Sequence, residues 1–553
     1  MILKKITPVR WIMLGLIIPY LLVQLYCIRK LTINIDEPTF GMYGFTILKL
    51  QGNKDIESYA SKLPIVALNG IPRAIEQTFH PGLKKNDWGY EDFYRGRYIT
   101  LIAGLILGLL VFQWTKELYG EFAGLFSFVF YLLCPNFLTH SIFVHTDVYA
   151  SLFLTASFYY LWKYHQTNKI KYFILLSVAV ALAEISKFSM IFLFLLIPVL
   201  LLTRYLLGLN NKGKRHSALL LLGIFMLINI FIISASHLFY QMFMPLKEYH
   251  FLSLPFIQLQ KIFGFLPMPL PSSYILSMDA SLFFDSIGND KQISISNPTY
   301  VFGKYYPFGI WYFYFVCLFY KIPIATLLIW LCSFILAIKK FSKFSFFRNE
   351  FYLLLPVVFY LIYLDFFYTT QLGIRHIIII LPSLFIFSGV LYSWLNVKGK
   401  KWIIFLLLAY QFISVGLYFP HFLPYTNEFI LDKKMVYKKL GDTNLDFWEG
   451  QNFLKSYLEK NKDAIFAPDS IVAGKIVLDA NRMLGLNWGL YENNKFKFIW
   501  AKDLIPVDHI HSQFLIYDIT PTMADSLRNI YQENIKQGKY RNYPVLLIPV
   551  REK

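Results

Sequence analysis

Charge is scarce in these 553 residues: Asp, Glu, Lys and Arg make up 16% of the chain, against roughly 25% in an average soluble domain. That shortage excludes an ordinary water-soluble enzyme. Cysteine is scarcer still, and all four residues, Cys27, Cys134, Cys317 and Cys332, fall inside apolar stretches. There they read as small hydrophobes, not as a disulfide or metal framework, and they leave the compartment open. Gly208 to Lys214 fits Gly-x4-Gly-Lys, but Arg215 stands where Ser or Thr would hold a metal ion, and the segment is a loop instead of a strand-to-helix turn. A phosphate-binding loop of that type is therefore excluded. Internal repeats and low-complexity tracts are absent as well.

What the chain has in abundance is apolar surface, 56% hydrophobic and 19% aromatic residues. Crossing a hydrocarbon layer of roughly 30 Å takes about 20 apolar residues. Eleven stretches qualify, near 11–29, 98–114, 121–139, 148–163, 172–186, 189–207, 217–239, 311–337, 351–367, 377–395 and 402–419. Lys4, Lys5 and Arg10 precede the first, as in a signal peptide, but no small-residue cleavage site follows Cys27-Ile28-Arg29-Lys30, so it is expected to stay as an anchor. Lys163, Lys169 and Lys171, then Arg204 with Lys212, Lys214 and Arg215, then Lys339, Lys340, Lys343 and Arg348, then Lys398, Lys400 and Lys401 collect in alternate loops. By the positive-inside rule these loops are cytoplasmic. Most of the net charge of +19 is therefore orientation, and no nucleic-acid partner is needed to explain it.

The expected fold is a polytopic α-helical membrane protein with about eleven transmembrane helices over residues 1–419 and a cytoplasmic N-terminus. Loops near 30–97 and 240–310 would face the exoplasmic side. Residues 420–553 turn polar at Asp442, Asp446, Glu449 and Lys455. Helix-like stretches at 448–460 and 522–536 alternate there with strand-like runs at 513–517 and 545–548, which predicts a soluble exoplasmic α/β domain.

Three groups of residues on the exoplasmic side carry candidate chemistry. Asp36 and Glu37 stand just past the first span, where acids against hydrocarbon are costly. They could serve as a general base or hold a divalent cation, or simply start a solvated loop before Pro38. His140, His145, Thr146 and Asp147 share the short turn between spans three and four, suited to metal ligation or its support and equally to capping the next helix. Lys187, Lys321 and the Arg375-His376 pair are cations away from the cytoplasmic loops, placed to meet a phosphate, to snorkel, or to pair with Glu184 or Asp365. Asp-x-Asp, the metal-nucleotide grip of many soluble sugar-nucleotide enzymes, occurs nowhere.

In order and context these elements resemble the C superfamily of membrane glycosyltransferases, which includes protein O-mannosyltransferases and bacterial aminoarabinose transferases. The likeness rests on Asp36-Glu37 after span one, His80-Pro81-Gly82-Leu83 later in the same loop, and Arg95 or Arg97 at the start of span two. It continues with Cys134-Pro135 through Thr146-Asp147, Lys187 after span five, Gly303-Lys304 with Trp311-Tyr312-Phe313, Lys321-Ile322-Pro323, Gly373-Ile374-Arg375-His376 and Leu381-Pro382. Gly82 replaces a usual second proline, and residues 442–451, Asp-Thr-Asn-Leu-Asp-Phe-Trp-Glu-Gly-Gln, form a looser version of a stretch found after the last span in some bacterial relatives.

The resemblance implies an enzyme that moves a monosaccharide, hexose or pentose, from a polyprenyl-phosphate carrier to a hydroxyl of a protein, lipid or glycan, with inversion, at the exoplasmic face of a bacterial inner membrane. Asp36 would be the general base, with Glu37 beside it. Lys187, Arg375, Arg97 and Lys321 would bind the donor phosphate. Asp147, His80 and His145 would orient the acceptor or a metal, and a divalent cation, the one cofactor to consider, would draw on Glu37, Asp147 and His80. The rival reading is a multi-span transporter or lipid-handling protein without sugar transfer. Transporters place polar groups near the bilayer midplane in repeated halves, whereas these charges gather at one end of the spans.

Overall fold

The computed structural model describes residues 8–49, 63–80, 90–206, 217–287, 298–340, 349–486 and 497–538. Residues 81–83, the loop at 208–215, Lys343, Arg348 and the run at 545–548 lie outside them. The chain begins with α1 (Pro8–Lys30), then α2 (Glu37–Leu48), α3 (Ala67–Phe79), α4 (Tyr90–Tyr119), α5 (Glu121–Leu132), α6 (Pro135–His140), α7 (Asp147–Thr167) and α8 (Ile170–Glu184). α9 (Leu193–Leu206), α10 (Ala218–Ser236), α11 (Leu254–Phe263) and α12 (Ser272–Ile287) lead to an antiparallel pair, β1 (Thr299–Val301) with β2 (Lys304–Tyr306). α13 (Phe313–Lys321), α14 (Ile324–Lys340), α15 (Phe351–Phe366), α16 (Leu381–Phe387), α17 (Gly389–Val397) and α18 (Trp402–Gly416) complete the helical body.

Prolines decide several of the breaks. Pro135 cannot continue α5 but suits the first position of α6, where its missing N–H costs nothing. Pro323 pushes Ile322 into an extended conformation, and the path bends there by 117° between α13 and α14. The stretch 311–337 is therefore a bent pair and not the straight span expected. All eleven expected stretches contain helix. Among the described residues, however, five helices are long and apolar enough to cross a membrane, or up to six if the bent pair is one span. Glu121–Leu132, Phe351–Phe366 and Trp402–Gly416 are shorter apolar helices.

Buried side chains of α1, α4, α5, α7 and α16 merge into one core, and α7 is buried along most of its length. Large apolar side chains point outward instead from α1 (Trp11, Ile18, Leu22), α10 (Leu219, Leu227, Phe231) and α18 (Phe405, Phe412, Ile413). A water-soluble surface rarely shows such contiguous apolar faces, and hydrocarbon is the solvent that suits them.

After α18 the chain forms α19 (Gln451–Lys460), β3 (Ala464–Phe466), β4 (Gly474–Asp479), α20 (Ala480–Met483), β5 (Asp508–Ile510), β6 (Phe514–Ile519) and α21 (Pro521–Lys536). The sheet order is β3-β4-β6-β5, with β3 parallel to β4 and the other pairs antiparallel. This unit is tied back to the helical body. Val301 bridges Leu440, and the Tyr305 hydroxyl donates to the Leu484 carbonyl at 2.8 Å. The Thr32 amide donates to the Glu449 carbonyl at 2.8 Å and the Ile35 amide to the Phe447 carbonyl at 3.2 Å. Residues 442–451 are thereby laid against the turn that precedes α2.

Candidate active site

The turn at residues 34–37 is built by its own side chains. Asn34 Oδ1 accepts from the amides of Asp36 and Glu37, each at 3.0 Å, while the Asn34 amide donates to Glu37 Oε2 at 2.9 Å. This reciprocal exchange resembles a capping box, and Pro38 follows in the first turn of α2. It sends the two neighbouring acids in different directions.

Glu37 turns inward. Its carboxylate takes a two-pronged ion pair from Arg97, Nε to Oε1 at 2.8 Å and Nη2 to Oε2 at 2.6 Å, and accepts the Val144 amide at 3.0 Å. The remaining Arg97 donors go to the carbonyls of Ile28, Leu31 and Thr32. Planar fork-to-carboxylate pairing of this kind fixes geometry as well as charge. One buried pair thus joins the end of α1, the start of α2, α4 and the turn between α6 and α7.

Asp36 turns outward and meets Arg375, with Nη1 2.7 Å from Oδ2. The Asp36 side chain is 28% exposed, against 0% for Glu37 and 7% for Asp147. Of these three acids, Asp36 is the one a ligand can reach. The Arg375 guanidinium lies over the Phe447 ring, 4.8 Å from its centroid, a cation–π placement that fixes its plane. Arg375 comes from the loop before α16, held by the Ile374 amide donating to Asn444 Oδ1 at 3.0 Å. Gly373 has φ +142, and a Cβ there would collide with Thr443 and Asn444, so a glycine is required for this close approach.

Asp147 opens α7. Its Oδ1 lies 2.7 Å from Lys187 Nζ, and its Oδ2 lies 3.3 Å from His145 Nδ1. Lys187 is extended in the break after α8, which lets the ammonium reach α7. Burial is the main influence on His145 and holds its imidazole below the usual histidine range, opposed by the Asp147 carboxylate. Phe40, Phe143 and Phe447 surround that ring. His376 packs on Tyr368 and lies 3.3 Å from the Tyr314 hydroxyl.

Asp36, Glu37, Arg97, His145, Asp147, Lys187 and Arg375 are thus brought to one place. Two expected phosphate ligands sit differently from the expectation. Arg97 is enclosed by Glu37 and main-chain carbonyls, and Lys321 is buried with Nζ donating to the carbonyls of Leu423 and Asn444. Both are structural ties: all five Arg97 donors and two of the three Lys321 donors have partners inside the protein. His80 is exposed at the end of α3, and no described contact joins it to this group. The metal donors brought close are also not the expected Glu37, Asp147 and His80. They are His140, His145 and Asp147, whose ligand atoms lie within 4.8 Å of one another. Phe447 and Asn444 were not foreseen as site residues, although the stretch 442–451 that carries them stood out in the sequence.

Residues 91–237 match the family described as dolichyl-phosphate-mannose-protein mannosyltransferase. This match supports the resemblance to membrane glycosyltransferases of the C superfamily on a segment that contains Arg97, His140, His145, Asp147 and Lys187. Among solved structures the chain is similar to ArnT from Cupriavidus metallidurans. For the form bound to undecaprenyl phosphate the identity is 12%, over 92% of this chain and 98% of that one, with a TM-score of 0.32. For the apo form it is 13%, over 92% and 97%, with a TM-score of 0.30. No curated protein matches.

Proposed function

We propose that the protein is an integral-membrane glycosyltransferase that moves a monosaccharide from a polyprenyl-phosphate carrier to an acceptor hydroxyl on the exoplasmic face, with inversion at the anomeric carbon. The proposed topology has eleven spans, a cytoplasmic N-terminus and residues 420–553 on the exoplasmic side. The observation that carries the reading is the contact between Asp36 and Arg375, an accessible carboxylate beside a guanidinium, with Lys187 and Asp147 paired in the same group.

This arrangement supports the following chemistry. The donor phosphate draws on Arg375 and Lys187, and Asp36 is released from its ion pair to face the acceptor. The acceptor oxygen attacks the anomeric carbon, the bond from that carbon to the phosphate oxygen breaks, and its electron pair leaves on the carrier phosphate. Asp36 takes the proton lost by the acceptor. Fixed cations at the leaving phosphate supply electrostatic stabilisation where charge develops. Glu37 and Arg97 position the turn that carries Asp36, and Phe447 holds the plane of Arg375.

The test is to incubate the purified protein with polyprenyl-phosphate sugars and measure carrier-phosphate release by mass spectrometry. Release with an acceptor present supports the reading. Binding or movement of the lipid without bond cleavage, across the donors tried, supports the transporter reading instead. Comparison of cell-envelope lipids and proteins with and without the gene would name the sugar and the acceptor.

A further inference from the structure

His140, at the end of α6, and His145, in the turn that follows, are both buried. His140 Nδ1, His145 Nδ1 and His145 Nε2 have no hydrogen-bond partner. The 3.3 Å approach of His145 Nδ1 to Asp147 Oδ2 is not aligned for a hydrogen bond. A buried polar atom left unpaired is costly, and three such atoms on two neighbouring imidazoles suit a bound ligand.

We propose that His140, His145 and Asp147 bind a divalent transition metal of the zinc class. Their donor atoms lie within 4.8 Å of one another. In tetrahedral zinc sites with ligands at roughly 2.0–2.2 Å, neighbouring ligand atoms stand about 3.4 Å apart, so small side-chain rotations close the set, and the His145 to Asp147 distance already fits. Two imidazoles and one carboxylate suit zinc better than calcium or magnesium, which take oxygen ligands.

The surroundings fit a metal shell. Lys187 holds Asp147 Oδ1 and leaves Oδ2 for the ion, as outer partners of metal-binding carboxylates do. The turn itself is pinned by the Val144 amide donating to Glu37. Three protein ligands leave a fourth position open. Lys187 and Arg375 are cationic neighbours, so the hold on the ion is weaker than in an all-anionic shell.

The site shares Asp147 and its neighbour Lys187 with the proposed sugar-transfer site, but metal content is measured without turnover, so the two readings stand or fall separately. The experiment takes the purified full chain through chelation and dialysis, adds zinc, and determines bound metal by mass spectrometry alongside thermal unfolding. The expected result is one zinc per chain with a raised Tm, and affinity reduced at least about tenfold, the scale at which even outer partners matter, in His140→Gln and in His145→Gln. No stoichiometric zinc, or zinc retained by both variants, overturns the proposal. Should the variants not fold, cobalt added to the unaltered protein decides the matter. Visible absorption bands of a tetrahedral nitrogen-and-oxygen site support it, and their absence overturns it.

Discussion

Arg375 lies over the ring of Phe447 at 4.8 Å while its Nη1 holds Asp36 at 2.7 Å. A residue of the segment after the last helix of the membrane body thus sets the plane of the cation that faces the proposed base.

Phe447→Leu should therefore lower sugar transfer without unfolding the protein. A cation–π contact of roughly 0.5–2 kcal/mol corresponds to about a 2- to 30-fold loss in kcat/KM. Steady-state kinetics checks this, and an unchanged kcat/KM would place Phe447 outside the catalytic geometry.

Lys187→Ala and Arg375→Ala should each weaken donor use. Hydrogen bonds to charged groups are worth roughly 1.5–3 kcal/mol, about 10- to 150-fold in affinity. Titration with the carrier lipid reads this directly. If neither variant changes donor binding, their proposed phosphate roles are wrong.

Glu37 and Arg97 should behave as a buried pair and not as chemistry. Glu37→Gln leaves Arg97 charged and enclosed, and removing one partner of such a pair costs roughly 3–5 kcal/mol. Thermal unfolding in detergent should show a large drop in Tm for Glu37→Gln, with partial recovery when Arg97→Met is added. An unchanged Tm would contradict the structural role given to the pair.

The segment after the helical body carries a pH-dependent element of its own. Burial raises both the Asp446 and Asp479 carboxyls, and for Asp446 the neighbouring Asp479 charge raises it further. Folded values above unfolded ones mean that the folded state keeps a proton the unfolded chain gives up. The stabilisation is full below the usual carboxylate range of about 4 and is lost as pH rises through the folded values. Asp446→Asn supplies a permanent N–H in place of that proton while its Oδ1 still accepts from the Trp448 amide. Tm measured from pH 4 to 9 should fall less steeply for Asp446→Asn than for the unaltered protein. Parallel curves would rule out the retained proton on Asp446.

Much of the site was legible in the sequence because charge at the edge of an apolar run stands out. Asp36, Glu37, Asp147, Lys187 and Arg375 each show that way, and the structure gathers them. The pairings were not legible. Asp36 and Glu37 are adjacent, yet the Asn34 turn sends one to Arg375, 339 positions away, and the other to Arg97, 60 positions away. Arg97 and Lys321 looked like free cations because sequence does not show which carbonyls fold around them. Phe447 looked like an ordinary apolar residue. Pro323 marks the bend after Lys321, but the long apolar run around it reads as one span.

Sugar transfer in this scheme depends on Asp36 as the base, and Asp36→Asn tests that role. The amide keeps the shape and a contact to Arg375 but takes no proton. Single-turnover assays with purified protein and polyprenyl-phosphate sugar should show transfer reduced by about 10²- to 10⁴-fold, the range of general-base contributions, with donor binding and Tm retained. Near-normal transfer by this variant would contradict the assignment.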